Sequence, residues 1–303
     1  MRIDRREFLG IGAAALAGAR LAPAQEPKRD PTKFQVACMT LPYSAFPFDR
    51  ALTGIKAAGY KYVALYTTHK EEGKSVPVIA PDDPPEKAAE IGKKCRDRGL
   101  EPLLMFSGIY PEAKNGLEVL TQRLKQAAAG KVPHVLTFGH TKGGNRELWI
   151  ERFKKLGPIA RDLGVLLVVK QHGGETGTGK ACAEITREVA DEGVKVNFDA
   201  GNVLDYLNVD PIPDLKACAD EVRGFCIKDH RNFPKSEDCG PGLGEIDHYK
   251  LLHAVAWTGR AMPLCCENIF APLVARPKEP EGVHDMARRA REFLELVIKG
   301  LQG

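Results

Sequence analysis

Short apolar runs alternate with longer amphipathic segments along most of the 303-residue chain. The short runs are typical of buried strands, and the segments between them carry apolar residues at helical spacing. This alternation occurs eight times. The predicted strands are Phe34–Met39, Tyr62–Tyr66, Pro102–Phe106, His134–Phe138, Val165–Lys170, Val194–Phe198, Arg223–Lys228 and Pro263–Cys266. The predicted helices lie near 48–58, 85–98, 116–129, 146–163, 180–192, 213–220, 247–257 and 282–300.

Eight strands and eight helices in strict order predict an α/β fold, a closed (β/α)8 TIM barrel in a single domain, more than an open sheet. Gly59, Gly99, Gly164 and Gly193 each follow a predicted helix, where a left-handed residue ends the last turn. We therefore expect short loops at the end where helices lead into strands. The longer loops that follow the strands should carry the chemistry.

The first residues form a separate segment. Residues 5–9 read Arg-Arg-Glu-Phe-Leu, an apolar run continues to residue 19, and residues 22–24 offer an Ala-Pro-Ala cleavage site. This pattern predicts a twin-arginine signal peptide over 1–24. An amphipathic helix or an uncleaved membrane anchor is the alternative, although a spanning helix needs about 20 apolar residues.

We expect a linker at 25–32 and the barrel at 33–303. The signal predicts export by the twin-arginine translocase to a periplasmic or extracellular location, with no stable membrane insertion after its removal. Removing its four arginines and two acids lowers the formal charge from +4 to +2. A nearly neutral domain without a basic cluster argues against a nucleic-acid partner. A homo-oligomer stays open.

Eight cysteines in an exported protein suggest disulfides, but none of them shows CxxC spacing. Several lie inside predicted apolar strands, where a free thiol packs as a small apolar group. We therefore expect mostly buried free thiols and no zinc ribbon.

Polar residues cluster where the last four predicted strands end. These ends read Lys-Gln-His-Gly-Gly at 170–174, Asp-Ala-Gly-Asn at 199–202, Cys-Ile-Lys-Asp at 226–229 and Glu-Asn at 267–268. Barrel strands end at one face, so inward side chains there share a cavity. A buried carboxylate is unfavourable unless it is paired or coordinated, so Asp199 and Glu267 indicate a functional site.

In this order, the four strand ends resemble the xylose-isomerase-like TIM barrel family, which includes sugar phosphate isomerases, ketose 3-epimerases and inosose dehydratases. In that family strand five usually ends in Glu-Asn-His-Gly-Gly, strand six in Asp-x-Gly-His or Asp-x-Gly-Asn, strand seven in His-x-Lys-Asp and strand eight in Ile-Glu. A Gly-x-Gly-x-Ile-Asp element that follows strand seven is also present, at 242–247. The resemblance covers residues 34–300.

The resemblance implies a divalent metal ion (Mn, Mg, Co or Zn) held by Gln171, Asp199, Cys226 and Glu267, one from each of the four strands. Gln171 is taken to replace a Glu, and Cys226 replaces a His. A Gln carbonyl can bind a hard cation but cannot act as a base. A thiolate favours a softer ion such as Zn²⁺. His230, four residues beyond Cys226, can supply the missing imidazole.

The resemblance also implies proton abstraction next to the carbonyl of a sugar, with the metal stabilising the enediolate. We assign Glu267 as the base, with Lys228 or His230 donating a proton or polarising a sugar oxygen, and His172 beside them. The expected substrate contacts are His140, Asn202, Asp229 and Glu245. Structural roles are the alternatives for two sites: a core thiol for Cys226, and an ion pair of Lys228 with Asp229 that closes the barrel.

Three functions stay open at this point. The first is a sugar isomerase or epimerase. Two-base epimerisation normally uses carboxylates from strands five and eight, and Gln171 removes one of them, so a lyase or hydratase acting on an oxidised sugar or inositol is the alternative. The third is a catalytically silent sugar-binding barrel that has lost its metal. The export signal favours a free or oxidised small-molecule sugar over a phosphorylated one.

Overall fold

Eight parallel strands close into a barrel in the computed structural model, which describes residues 30–303. The strands are β1 (Lys33–Met39), β2 (Tyr62–Leu65), β3 (Thr68–Glu71), β4 (Lys74–Pro77), β5 (Glu101–Phe106), β6 (His134–Phe138), β7 (Leu166–Lys170), β8 (Val194–Phe198), β9 (Val222–Ile227), β10 (Asp229–Arg231), β11 (Glu237–Cys239) and β12 (Ala261–Cys266). The barrel order is β1-β2-β5-β6-β7-β8-β9-β12.

Helices connect the strands on the outside of the barrel. They are α1 (Phe48–Ala57), α2 (Pro85–Asp97), α3 (Gly116–Gly130), α4 (Arg146–Asp162), α5 (Gly179–Val189), α6 (Ala200–Leu207), α7 (Pro211–Cys218), α8 (His248–His253) and α9 (Pro280–Gln302). The prediction of a (β/α)8 TIM barrel is confirmed. The predicted export signal, and the linker as far as residue 29, lie outside the described residues. Within residues 30–303, no helix is both long and apolar enough to cross a membrane.

The eight predicted strands coincide with the barrel strands to within two residues at either end. Two antiparallel hairpins, β3-β4 and β10-β11, and the helix α6 were not predicted. All three follow barrel strands at their carboxyl ends. The hairpin sequences lack the apolar runs on which the prediction rested, because the hairpins lie on top of the barrel and not in its wall.

The core has two layers, which strand alternation separates. On β7, Leu167 and Val169 pack outward among the helices, whereas Val168 packs inside the barrel with small and branched residues of the other strands. Successive side chains of a strand point to opposite faces, so this alternation continues into the polar strand ends. All eight cysteines are free and buried, as predicted.

Candidate active site at the carboxyl ends of the strands

Strand alternation directs a set of charged side chains into the carboxyl-terminal end of the barrel, called the mouth below. Cys226 and Cys265 lie inside the barrel. The residues two positions further along the same strands are Lys228 and Glu267, which therefore face the same interior. Lys170 follows the inward Val168 on β7 in the same way.

These side chains form one ionic cluster. The Lys170 Nζ lies 2.8 Å from Glu267 Oε2 and 3.3 Å from Asp199 Oδ2. The Lys228 Nζ lies 3.8 Å from a carboxylate oxygen of each of these two acids. It is also 3.0 Å from Asp238 Oδ2 on the hairpin strand β11. Two ammonium groups thus face three carboxylates, and we call these five residues the charged half of the mouth.

The cluster fixes the charges of its members. Burial raises the pKa of a carboxyl group, but the ammonium groups of Lys170 and Lys228 outweigh burial at Glu267 and lower its pKa to about 2. At Asp199, which has no exposed surface, burial outweighs the same lysines and raises the pKa. Burial alone would lower the pKa of each lysine, yet the carboxylates raise both. Glu267 is therefore ionised, and both lysines are charged, at neutral pH.

Asp199 is held in place by its backbone neighbours. It caps α6, because its Oδ1 accepts the backbone N–H of Asn202 at 2.9 Å. Its own backbone N–H donates to Gln171 Oε1 at 2.6 Å, and Asn202 Nδ2 donates to the Gln171 carbonyl at 2.7 Å. The amide oxygen of Gln171, proposed above as a metal ligand, is already the acceptor of the Asp199 N–H. Asn202, an expected substrate contact, is 1% exposed, and its side chain is bound to the Gln171 backbone.

The close approach of the Lys228 side chain explains why position 201, two residues after Asp199, is a glycine. A Cβ at this position would lie 2.6 Å from Lys228 Cγ, which is closer than any real contact allows. The Lys228 side chain therefore runs directly over the first turn of α6. A larger residue at position 201 would displace it from the cluster.

Asp199, Cys226 and Glu267 offer three donor atoms within 4.8 Å of one another, which is a spacing that suits a single metal ion. The Cys226 thiol is neutral, however, because burial raises its pKa well above the usual range. Lys170 and Lys228 contact both carboxylates. With two ammonium groups at its two charged donors, this site does not fit a divalent ion.

His230 lies beside the cluster and not within it. The His230 Nδ1 is 2.9 Å from Asp238 Oδ1, and its Nε2 is 3.7 Å from Asp205 Oδ1. These three residues form a second group of converging donor atoms. Because the other oxygen of Asp238 binds Lys228, His230 is connected to the charged half through that carboxylate.

Asp229 and Glu245 organise the loop that follows β9. The buried Asp229 carboxylate accepts the backbone N–H groups of Gly242 and Gly244, at 3.0 and 2.9 Å. A Cβ on Gly244 would lie 2.4 Å from Asp229 Oδ1, so this wrapping requires glycine. The exposed Glu245 accepts the backbone N–H of Asn232 at 2.7 Å. The carboxylates of both expected substrate contacts thus accept hydrogen bonds from the backbone of this loop.

The opposite side of the mouth is aromatic. Neighbouring rings there contact one another at centroid distances of 3.9 to 6.2 Å. The rings, called the aromatic half below, belong to Tyr66, Phe106, Tyr110, Phe138, His140, His172 and Tyr206. Lys170 Nζ lies 5.5 Å from the centroid of Phe138 and 5.9 Å from that of Phe106, close enough for cation–π attraction. Lys170 therefore touches both halves.

Two cavities open at the mouth, one against each half. Four residues of the aromatic half (Tyr66, Phe106, Tyr110 and Phe138) line a cavity of about 430 Å³. Lys228, Asp238 and Glu267 line another of about 310 Å³, together with Asn268 and the segment that follows β1. Lys228, Asp238 and Glu267 are therefore accessible to a small molecule, whereas Lys170 and Asp199 lie buried behind them.

The two histidines of the aromatic half differ in exposure. His172 Nδ1 lies 2.8 Å from the carbonyl oxygen of Gly139, so Nδ1 carries the proton and Nε2 keeps its lone pair. Burial lowers the pKa of His172, which keeps the ring neutral at pH 7. His140 is exposed, with its ring 3.9 Å from that of Tyr110 and its Nε2 3.4 Å from Glu112 Oε1.

The sequence pattern of the family described as Xylose isomerase-like TIM barrel matches residues 52–295. The chain belongs to this family. No curated protein matches it.

Several solved structures have the same fold. A structure of L-ribulose 3-epimerase is 16% identical, with a TM-score of 0.66 over 88% of this chain and 95% of the other. A xylose isomerase-like TIM barrel protein from Mycobacterium smegmatis, in complex with magnesium, is 17% identical, with a TM-score of 0.67 over 89% and 97%. A probable 3-DHS dehydratase, AsbF, from Bacillus anthracis is 14% identical, with a TM-score of 0.61 over 86% and 98%. At these identities the likeness establishes the fold alone.

The sequence analysis did not select two residues of the charged half, Lys170 and Asp238. Asp238 lies on the unpredicted hairpin strand β11, whereas Lys170 ends a predicted strand. The strand-five motif of the xylose isomerase-like family, Glu-Asn-His-Gly-Gly, aligns with residues 170–174. In that register Lys170 stands in place of the Glu, and Gln171 in place of the Asn. Alternation leads to the same assignment, because Val168 points inward and Gln171, three positions on, points outward. The motif register alone could have identified Lys170 from the sequence.

Proposed function

We propose that this barrel abstracts a proton next to the carbonyl group of a sugar or sugar derivative. The observation that carries the proposal is the ionised carboxylate of Glu267 held between two ammonium groups, those of Lys170 and Lys228, at an open mouth. A base beside positive charge is what the formation of an enediolate requires. Membership of the xylose isomerase-like family supports a sugar as the substrate.

The two lysines can control how basic Glu267 is. While both contact Glu267, its pKa of about 2 makes it a weak base. A substrate oxygen that accepts a hydrogen bond from Lys170 or Lys228 draws that ammonium group away from Glu267, so the carboxylate becomes more basic. The same ammonium group then stabilises the negative charge that develops on the oxygen as the proton leaves carbon.

His172 supplies a second proton carrier at the boundary between the two halves. Its neutral ring has a free Nε2, because Nδ1 is bound to the Gly139 carbonyl. An imidazole of this kind can accept a proton from the substrate, and once protonated can donate it to another atom. We therefore assign Glu267 as the base that acts at carbon and His172 as the carrier that acts at a second position.

A lyase acting on an oxidised sugar or inositol is a second candidate, and the end of β7 favours it. The side chain that β7 places in the mouth is an ammonium group and not a carboxylate, so a symmetrical pair of carboxylate bases is not formed there. Elimination needs one base and one acid: the C–H bond breaks, a C=C bond forms, and the leaving group departs with a proton. Glu267 can act as the base, and the charged ammonium group of Lys228, 3.8 Å from it, can act as the acid.

The location of this activity is a separate proposal. We propose that the chain is exported with its predicted twin-arginine signal and acts outside the cytoplasm on a free or oxidised sugar. Support comes from the sequence of residues 1–24 alone. Cell fractionation, with N-terminal sequencing of the mature protein, tests it, and an unprocessed chain confined to the cytoplasm would contradict it.

Deuterium uptake from solvent tests the proposed chemistry. The purified protein is incubated in D₂O with a panel of ketoses, oxidised glycosides and inososes, and each compound is analysed by mass spectrometry. Proton abstraction gives a mass increase in at least one compound. Glu267→Gln should lower the rate of uptake by about 10²- to 10⁴-fold. Glu295→Gln, an exposed carboxylate on α9 paired with Arg291, is the matched control and should leave the rate unchanged.

The product separates the candidate reactions. An isomer or epimer of the substrate identifies the first, and an unsaturated product with new ultraviolet absorbance identifies the lyase. Binding of a sugar without deuterium uptake anywhere in the panel would contradict the proposal and leave a silent binding barrel.

A further inference from the structure

Lys170 occupies the part of the mouth in which a metal ion would be expected from the donor atoms alone. Its side chain is 3% exposed, and its Nζ contacts Glu267 at 2.8 Å and Asp199 at 3.3 Å. Those two carboxylates, together with the Cys226 sulfur, are the three donors that converge within 4.8 Å. The positive charge that two buried carboxylates require is therefore already supplied by the protein.

The remaining donors do not favour a second cation. A divalent ion between Asp199 and Glu267 would lie close to both Lys170 and Lys228, and like charges repel strongly at a buried site. Magnesium takes six oxygen ligands in near-octahedral geometry, and zinc takes about four donors. The oxygen of Gln171 is bound to the backbone of Asp199, so it is not available to complete such a set.

We propose that the Lys170 ammonium group takes the place of a divalent metal ion in this barrel and binds the substrate oxygen during proton abstraction. The second clause rests on the proposed function, and the first does not. A lysine has three N–H donors. Without substrate, the Lys170 Nζ donates to the two oxygens of Glu267, at 3.1 and 2.8 Å. A substrate oxygen beside the rings of Phe106 and Phe138 takes a remaining N–H and draws the ammonium group away from Glu267.

This geometry differs from that of a metal in what it recognises. A metal ion can chelate two neighbouring oxygens of a sugar, whereas one N–H binds a single oxygen. The proposal therefore predicts a substrate held at this point by one carbonyl or enediolate oxygen, with the rest of the molecule against the aromatic half. It also predicts that deuterium uptake is insensitive to EDTA.

Manganese binding in the absence of substrate tests the first clause. The purified protein is treated with EDTA, dialysed and titrated with Mn²⁺, and the electron paramagnetic resonance signal of free Mn²⁺ is followed. The wild type should take up no stoichiometric Mn²⁺. The double substitution K170E/C226H replaces the ammonium group by a carboxylate and the thiol by an imidazole. It should bind about one equivalent, with an affinity on the order of 100-fold higher than that of the wild type.

The substitution K170M/C226H is the matched control, since it also removes the ammonium group and adds the imidazole but provides no third carboxylate. Its affinity for Mn²⁺ should lie between those of the wild type and K170E/C226H. Circular dichroism establishes that each variant is folded, and K170E alone replaces the double variant if that one does not fold.

Stoichiometric binding of Mn²⁺ by the wild type would overturn the proposal, whatever the variants do. Failure of the folded K170E/C226H variant, or of K170E in its place, to bind Mn²⁺ would also overturn it, because the ammonium group would then not be what excludes the ion. Loss of deuterium uptake on adding EDTA to the wild type contradicts the second clause. An absence of uptake under all conditions contradicts the proposed function instead and leaves the Mn²⁺ result standing.

Discussion

The charged half and the aromatic half of the mouth are built from different strands and stabilised in different ways. The charged half comes from β7, β8, β9, β11 and β12, and each of its five residues contacts another of opposite charge. The aromatic half comes mainly from β2, β5 and β6 and the loops that follow them, and its rings meet edge to face or tilted. The buried charges thus lie on one side of the mouth, and most of the aromatic surface lies on the other.

The two halves should respond differently to substitution. Removing one member of a buried ionic cluster leaves its partners uncompensated, so the effect exceeds the loss of a single contact. Removing one ring from an aromatic wall removes contact area, and the neighbouring rings can adjust. We therefore expect large, coupled effects in the charged half and small, separable effects in the aromatic half.

Lys170→Met, which tests the charged half, should have a larger effect than any substitution in the aromatic half. It keeps an unbranched side chain but leaves Glu267 and Asp199 with Lys228 as their ammonium partner. Deuterium uptake should fall by about 10²- to 10³-fold, as on removal of a charge-stabilising donor. The free energy of unfolding should fall by about 3–5 kcal/mol, as for breaking a buried ion pair. Uptake is followed by mass spectrometry, and stability by urea denaturation.

The control for this prediction is Lys195→Met. Lys195 is also a buried lysine with carboxylate partners, Glu192 and Glu221, but it lies at the start of β8, the other end of the barrel. It should lose stability without losing uptake. Equal losses of uptake in both variants would show that the charged half has no special role.

The two halves also differ in how far the sequence predicts them. Asp199, Lys228 and Glu267 stand out because charged residues end otherwise apolar strands, and the sequence analysis selected all three. Phe106 and Phe138 do not stand out, since an aromatic residue at the end of an apolar strand is indistinguishable from core. Their role depends on which rings meet across strands, and this follows from the barrel register.

Lys170 is an intermediate case. The prediction that Lys170 ends a strand was correct. Whether its side chain points into the barrel depends on which β7 residues face inward, and the structure supplies this. Gln171 was selected in its place, although the backbone of Asp199 uses its oxygen. The barrel itself was predictable because eight apolar runs must all be buried. The hairpins β3-β4 and β10-β11 were not, because their pairing is short and their residues are largely polar.

Acid should destabilise the charged half in a way that depends on Glu267. Its pKa is lowered from 4.5 to about 2 in the folded protein. The stabilisation is therefore complete above about pH 4.5 and is lost as the pH falls toward 2, at most about 3 kcal/mol. Asp199, whose pKa burial raises, acts in the opposite direction and reduces the net change.

Urea denaturation of the wild type and of Glu267→Gln between pH 2 and pH 7 measures this contribution. The wild type should lose more stability than the variant over the acid range, and the two curves should run parallel above it. Curves that run parallel down to pH 2 would mean that the lysines do not stabilise the ionised form of Glu267.

Phe138→Leu should have the smallest effect and the one most specific to the aromatic half. The Phe138 ring contacts those of Phe106, Tyr110 and His172, at centroid distances of 6.2, 5.8 and 4.6 Å. Leucine keeps an apolar group there but removes a flat face against which a sugar ring can stack. We expect KM to rise by about 3- to 10-fold, equivalent to about 1 kcal/mol, with kcat nearly unchanged.

Phe34→Leu, a half-buried ring at the opposite end of the barrel, should change neither constant. A large fall in kcat for Phe138→Leu, with KM unchanged, would instead show that this ring positions Lys170 or His172, and the separation of the two halves would have to be abandoned.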